Sequence, residues 1–262
     1  MSHKCLATLF GLIAILGLLI LIGPVCYLFW KVSPEQIWKS ICDSEVAKAL
    51  WITMSAGALA TLAAMLSGLP VAYWLSRSKG QLASLLEAAI NLTIAIPHVA
   101  VGIMLLMFLS PQTILGDVLS RLHVFFVDNY LGVCLCMWYM GFPYVVSSSV
   151  AGFKGVKEEF ILVAKNLGAS DSYVFRNITL PLAAPAILRG GALCLARGLG
   201  EMGSLLILAY HPQVITILML GRFQEQGLGA AQGITAVALL VNLVLFILIF
   251  WGLRMPYDPT RG

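Results

Sequence analysis

Two charged side chains lie within an otherwise apolar stretch of the sequence, and their types and spacing are the first to suggest chemistry. Arg197 and Glu201 are four residues apart in the segment 182–210, so on an α-helix they share one face. A lone charge in a deeply apolar helix costs at least about 2.5 to 3.5 kcal/mol on insertion scales. We therefore expect the two side chains to form an internal ion pair.

The remaining reactive side chains do not suggest a catalytic or metal site. The histidines are scattered over separate regions, so their spacing predicts no metal-ligand cluster: His3, His98, His123 and His211. The six cysteines include no CxxC pair, and we interpret them as small apolar residues. The sequence also lacks the G-x-x-x-x-G-K-[ST] phosphate-binding loop. We expect no catalytic residue, no metal and no cofactor in this chain.

The composition excludes a water-soluble domain. Of 262 residues, 60% are hydrophobic and only 11% are charged, with a mean hydropathy of +0.93. Soluble globular domains carry about a quarter charged residues, so this chain has too little polar surface to face water on all sides. The composition therefore predicts a protein that lies largely in lipid.

Six apolar stretches predict an all-α membrane protein with six transmembrane helices in a single domain, 1–262. Each stretch exceeds the roughly 20 residues that a helix needs to cross the hydrocarbon core. The first is too long for the apolar region of a signal peptide, so we interpret it as a span. The predicted spans are about 6–30, 49–76, 83–109, 130–152, 182–210 and 231–253.

Lysine and arginine residues are distributed unequally between alternate loops, which predicts the orientation. Ten lie on the side of the termini, including Lys4, Arg254 and Arg261, and five lie on the opposite side. Because cytoplasmic loops carry the excess of basic residues, both termini are predicted to be cytoplasmic, in a multi-pass protein of the cell (inner) membrane. The net charge of +4 reflects this bias and does not indicate a nucleic-acid partner.

Two features of the predicted spans indicate contact with other protein segments. Pro97 and Pro143 lie inside spans, where proline should kink the helix and free backbone carbonyls. The segment 55–68 is rich in alanine, glycine and serine, which lets neighbouring helices approach closely.

The predicted cytoplasmic segment 154–181, between spans four and five, is more than a connector. Val156–Leu167 predicts a short helix that ends at Gly168, and Ser170 can cap a second helix that runs to about Ile178. Each helix carries an apolar patch: Phe160, Ala164 and Leu167 on the first, and Val174, Phe175 and Ile178 on the second. We expect a protein partner for these patches, and adsorption to the membrane surface is the alternative.

The end of this segment resembles a family signature. Gly168 is followed by nine residues and then by Ile178, one residue, Leu180 and Pro181. This resembles the cytoplasmic motif of permease subunits of binding-protein-dependent ABC importers: EAA, three residues, G, nine residues, I, one residue, LP. Leu162 stands where the family has its glutamate, and Glu158 and Glu159, one turn earlier, are candidate replacements.

A second run strengthens the resemblance and narrows it. Ala196-Arg-Gly-Leu-Gly-Glu-Met-Gly203 is similar to the Ala-Arg-Ala-Leu-Gly-Glu-Phe-Gly run of permeases for molybdate, tungstate and sulfate. The segments 206–212 and 227–231 look most like the molybdate/tungstate branch.

The resemblance implies a type I ABC importer permease fold and an ATP-driven import of an oxyanion. It implies a homodimer with two cytoplasmic ATPase subunits, which bind ATP and Mg, and an extracytoplasmic solute-binding protein. The implied translocation-path residues are Pro97, Arg197, Glu201 and Gly203. The implied ATPase-coupling residues are Glu158, Glu159, Leu162, Ala164, Gly168, Ala169, Ser170, Tyr173, Phe175, Ile178, Leu180 and Pro181.

Two alternatives stay open at this point. A sulfate/thiosulfate permease of the same family would share the motifs. An ion-coupled secondary transporter would need inverted repeats and several intramembrane carboxylates, whereas Glu201 is the only deep carboxylate of the sequence.

Overall fold

The computed structural model describes the backbone of residues 3–253, and the side chains of 9–249 and 251. Three of the basic residues used to predict the orientation are affected: Arg254 and Arg261 lie outside these ranges, and of Lys4 only the backbone is described. Within the described part, the chain is helical and contains no strand. The helices are α1 His3–Lys31, α2 Pro34–Cys42, α3 Ser44–Arg77, α4 Gln81–Ala95, α5 His98–Leu109, α6 Ile114–Arg121, α7 Tyr130–Lys154, α8 Glu158–Asn166, α9 Asp171–Val174, a π-helix Phe175–Thr179, α10 Leu180–Leu199, α11 Leu205–Leu208, α12 Ile215–Gln226 and α13 Leu228–Leu253.

Among the described residues, five helices are each long and apolar enough to cross a membrane, and a bent pair provides a sixth candidate span. The single candidates are Leu9–Lys31, Ser44–Arg77, Tyr130–Lys154, Asp171–Leu199 and Leu228–Ile249. The fold is therefore an all-helical, multi-pass membrane fold. The contacts divide the chain into two compact units, where the sequence analysis treats it as one domain.

The first unit comprises Met1–Lys48 and Leu218–Leu245. Its described part begins with α1, an apolar helix whose residues from Leu9 onward are almost all exposed, as lipid contact requires. The amphipathic α2 begins with a capping box in which the Ser33 side chain and Gln36 satisfy each other's backbone N–H groups. In the same unit, Arg222 pairs with Asp43 at 3.2 Å and with Glu45 at 2.6 Å.

The second unit comprises Ala49–Ile217 and Phe246–Gly262, and its core depends on small residues at helix crossings. Along α3, three fully or almost fully buried alanines recur every four positions: Ala56, Ala60 and Ala64. A Cβ atom placed on Gly141 of α7 would overlap the Cys194 sulfur of α10. This close contact of helices agrees with the predicted role of the small residues.

The third predicted span, 83–109, is not a single continuous helix. It breaks between Ala95 and His98, and α4 and α5 form an angle of 114°. Proline at position 97 explains the break, because it disfavours helical geometry in the preceding residue and supplies no N–H to continue the ladder. Ile96 is extended accordingly, with ψ of 130°.

The fifth predicted span, 182–210, ends early. The α10 helix stops at Leu199, and the short α11 begins only at Leu205. Within the intervening turn, the Glu201 carboxylate accepts a hydrogen bond from the backbone N–H of Ser204, which gives the backbone an alternative to the helical ladder. At its other end the helix continues into the segment 154–181, since α9, the π-helix and α10 form one candidate span, Asp171–Leu199.

Candidate functional site

The two helix breaks of the second unit meet, and glycine makes the approach possible. A Cβ on Gly203, in the turn after α10, would lie 2.6 Å from the Cβ of His98 at the start of α5. A Cβ on Gly102 of α5 would lie 2.7 Å from the carbonyl oxygen of Ser204. Neither position can hold a side chain unless the two breaks separate.

An ion pair lies at this meeting point, as the spacing predicts. Arg197 Nη1 lies 2.9 Å from Glu201 Oε2, and the Glu201 side chain is fully buried. Its other oxygen, Oε1, accepts hydrogen bonds of 2.9 Å from both the N–H and the hydroxyl of Ser204. The Thr216 hydroxyl donates to the Glu201 carbonyl oxygen at 2.8 Å. The charge of the carboxylate is therefore paired with Arg197 and its Oε1 atom is held by Ser204, whereas its buried Oε2 atom accepts no hydrogen bond from the described residues.

A third polar residue, His98, completes the group. Its Nδ1 lies 3.5 Å from Glu201 Oε2, and Arg197 Nη2 lies 3.1 Å from the same nitrogen. We call His98, Arg197, Glu201 and Ser204 the charge site. The sequence analysis missed His98 because it considered the histidines only as metal ligands. Its position directly after Pro97, at a predicted break in an apolar span, was the available signal.

The four predicted path residues come together at the charge site. Pro97 is the N-cap of α5, Gly203 packs against His98, and Arg197 and Glu201 form the ion pair. Two basic side chains here are partly exposed, over a buried carboxylate. Such an arrangement can attract an anion without binding it tightly. Within residues 3–253, no group of three histidine, cysteine, aspartate or glutamate residues could hold a metal.

The predicted coupling residues lie in the segment 154–181, which we call the coupling segment. Here α8 and α9 are joined by a turn at Gly168, whose φ of +87° is in the left-handed region that glycine favours. The Ser170 hydroxyl accepts a hydrogen bond from the Tyr173 N–H at 3.3 Å and so caps α9. Lys165 pairs with Asp171 across the turn at 2.6 Å. The angle between the two short helices is therefore determined by local interactions.

Residues 154–173, which we call the first half of the coupling segment, expose large apolar side chains. These include Phe160, Leu162, Val163, Tyr173 and, at 84% exposure, Leu167. Glu158 and Glu159 are exposed in the first turn of α8. A surface cleft is lined by Ala164, Leu167, Gly168, Ala169, Ser170 and Tyr173. Exposed apolar side chains around a concave surface are typical of a protein-docking site.

The second half of the segment packs against its own chain. The ring of Phe175 is 4.8 Å, centroid to centroid, from Tyr73 at the end of α3, and 6.4 Å from Phe153 at the end of α7. The expected apolar patch of Val174, Phe175 and Ile178 therefore does not face outward: Val174 is buried and the other two are half-buried. Leu180 and Pro181 are also half-buried. These residues hold the coupling segment to the spans.

Known proteins are similar to this chain in sequence and in fold. The family model described as binding-protein-dependent transport system inner membrane component matches residues 64–255. A molybdate/tungstate transport system permease protein of Methanocaldococcus jannaschii is 36% identical over 209 residues, which are 80% of this chain and 82% of that protein. A sulfate transport system permease protein of Escherichia coli is 27% identical, over 91% of this chain and 86% of that protein.

Among solved structures, the chain is similar to a subunit of a bacterial ABC transporter that imports the acidic polysaccharide alginate. The TM-score is 0.77 at 19% identity, with 98% of this chain and 97% of that chain covered. A subunit of the MetNI methionine ABC transporter, in an inward-facing conformation, gives a TM-score of 0.61 at 16% identity, over 85% of this chain and 96% of that chain. At these identities the likeness concerns the fold, which is that of a type I ABC importer permease.

Proposed function

The chain belongs to the family of binding-protein-dependent transport system inner membrane components, and from that premise we propose that it is the permease subunit of an ATP-driven importer of molybdate or tungstate. The observation that carries the proposal is the charge site: Arg197 and His98 are partly exposed where two broken helices meet in an apolar protein. Broken helices inside the membrane commonly line a solute pathway.

The choice of anion rests on the relatives. Permease proteins named for molybdate/tungstate transport share 31–36% identity with this chain, and those named for sulfate transport share 27–30%. Sulfate is therefore the second candidate. All three are tetrahedral dianions, so the charge site alone does not separate them.

The energy for transport would come from partner chains. The sequence contains no phosphate-binding loop, so we assign ATP and Mg to two separate ATPase subunits that dock on the coupling segment. The exposed apolar side chains of α8 and of the following turn support this docking. A homodimer of this chain, with a solute-binding protein on the outer side, completes the proposed complex.

The orientation follows from charge. The basic excess supports a cytoplasmic position for the coupling segment and for both termini, in a complex of the inner membrane. Movement of the docked ATPases on ATP binding would then shift the coupling segment, and with it the end of α3 and α7 through Tyr73, Phe153 and Phe175.

Reconstitution tests the proposal. The permease, its ATPase and its binding protein are placed in liposomes, and uptake of radiolabelled molybdate is measured with and without ATP. We expect uptake that requires ATP and is inhibited more strongly by excess tungstate than by excess sulfate. Uptake without ATP, or a purified complex that transports sulfate but not molybdate, would contradict it.

A further inference from the structure

The three ionisable side chains of the charge site differ in exposure. The Glu201 side chain is 0% exposed, that of Arg197 is 19% exposed and that of His98 is 47% exposed. An ion that enters from the open side therefore meets His98 and Arg197 before it can reach Glu201. The carboxylate is also occupied by Ser204 through its Oε1 atom. His98 is thus placed to contact a passing solute.

The contact between Arg197 and His98 requires a neutral imidazole. A guanidinium group has donors only, and Arg197 Nη2 lies 2.5 Å from His98 Nε2 and 3.1 Å from His98 Nδ1. A ring nitrogen of His98 must therefore accept this hydrogen bond. A protonated imidazole has a donor at both nitrogens, so protonation of His98 would break the contact with Arg197. The His98 Nδ1 would then pair with Glu201 Oε2, which lies 3.5 Å away, and Nε2 would be left to donate to an anion.

On the basis of the proposed function, we propose that His98 is an oxyanion-contacting residue of the translocation path. While the path is empty, the neutral ring accepts a hydrogen bond from Arg197 Nη2. When the oxyanion arrives, it takes over this Arg197 donor, and His98 takes up a proton from water in the path and donates to the anion. The proton returns to water when the anion leaves.

Protonation of His98 would change the net charge that the site presents to an anion. The Arg197 and Glu201 charges sum to zero, so a site with neutral His98 attracts a dianion only weakly, through the more exposed position of Arg197. Protonation of His98 gives the site one positive charge, which compensates half of the dianion. This gain is lost when the anion has passed and the proton returns to water.

Few other titratable groups lie near His98. Arg197 and Glu201 face it from α10 and the following turn, and α5 and α11 contribute none. On α7, the Cys136 thiol lies close to Ser204 and Glu201. The charged residues of α4 and α6 are paired elsewhere: Glu87 with Lys154, and Asp117 with Arg121.

The experiment compares the pH profile of molybdate uptake in the reconstituted complex. In the wild type, we expect uptake to rise several-fold as the pH falls from about 8.5 to about 6. The variant His98→Gln can still donate and accept hydrogen bonds but cannot gain a charge. We expect reduced uptake and a raised KM for this variant. The difference in uptake between the wild type and the variant should grow several-fold toward low pH. His98→Asn provides a second neutral variant with the same expectation.

His211→Gln is the matched control, since His211 is an exposed histidine whose backbone N–H, rather than its ring, binds Asp128. It should keep the wild-type pH profile. If both His98 variants lose the same fraction of uptake at every pH, His98 has only a structural role and the inference is overturned. It is also overturned if uptake by these variants rises toward low pH as much as uptake by the wild type. Failure of the wild-type complex to take up molybdate at any pH is a different result, because it contradicts the proposed function itself.

Discussion

The charge site and the coupling segment are opposite in character, although both belong to the same compact unit. In the charge site, polar groups are enclosed in an apolar fold, and each oxygen of the Glu201 carboxylate faces a polar group of the chain. In the first half of the coupling segment, apolar side chains such as Leu167 and Phe160 are exposed where water is expected. In the first region the charges are paired within the chain, whereas the apolar side chains of the second need a partner.

This difference predicts which property each region controls. Removal of a group from the charge site leaves a buried charge without compensation, so stability and transport should suffer together. Removal of an exposed side chain from the coupling segment should leave folding unchanged and weaken association with the ATPase. Three variants test this contrast, in order of decreasing expected effect.

The largest effect is expected from Glu201→Ala. It leaves the partly buried Arg197 guanidinium without its carboxylate, and breaking one side of a buried pair costs about 3 to 5 kcal/mol. We expect a marked loss of thermal stability of the detergent-solubilised protein, together with loss of uptake. Glu45→Ala is the control, because Glu45 also pairs with an arginine but its side chain is 66% exposed, and such pairs contribute about 1 kcal/mol or less. Equal destabilisation by the two variants would contradict the contrast.

The sequence predicted the local part of the charge site but not the long-range part. The Arg197–Glu201 pair follows from a spacing of four on a helix. The contact with His98, 99 residues from Arg197, depends on the 114° bend at Pro97. Sequence indicates that a proline breaks a helix, but the size of the bend is determined by packing of Gly102 and Gly203 against the opposite break.

The same limit applies to the membrane helices and the coupling segment. The segment 182–210 is largely apolar throughout. Hydropathy alone could therefore not predict that the Glu201 carboxylate would accept a hydrogen bond from the Ser204 N–H, or that α10 would end at Leu199. In the coupling segment, the periodicity predicted two amphipathic helices and the turn at Gly168. It could not distinguish an apolar patch that faces outward from one, around Phe175, that packs on the chain's own aromatic residues.

An intermediate effect is expected from Gly168→Val. A Cβ at this position would meet no atom within 4 Å, so the effect must come from the backbone. The φ of +87° is strongly unfavourable for a β-branched residue, and such strain costs about 1 to 3 kcal/mol. We expect a changed angle between α8 and α9, so that the reconstituted complex still hydrolyses ATP but transports poorly.

Gly168→Asn is the matched control, because asparagine tolerates the left-handed region better than valine does. It should retain most of the coupling between hydrolysis and uptake. If the valine variant transports as well as the asparagine variant, the turn geometry has no role in coupling.

The smallest effect is expected from Leu167→Ala, with Phe175→Ala as its structural opposite. Leu167 is 84% exposed, so its truncation should leave thermal stability unchanged and weaken ATPase binding by about 1 kcal/mol, as for a peripheral interface contact. Phe175 packs on Tyr73 and Phe153, so its truncation should instead lower the stability of the permease by about 2 kcal/mol, less than for a fully buried ring. Thermal melting of the permease alone and titration with the purified ATPase separate the two quantities. If Leu167→Ala melts earlier while Phe175→Ala changes only ATPase binding, the outward and inward halves of the coupling segment are assigned the wrong way round.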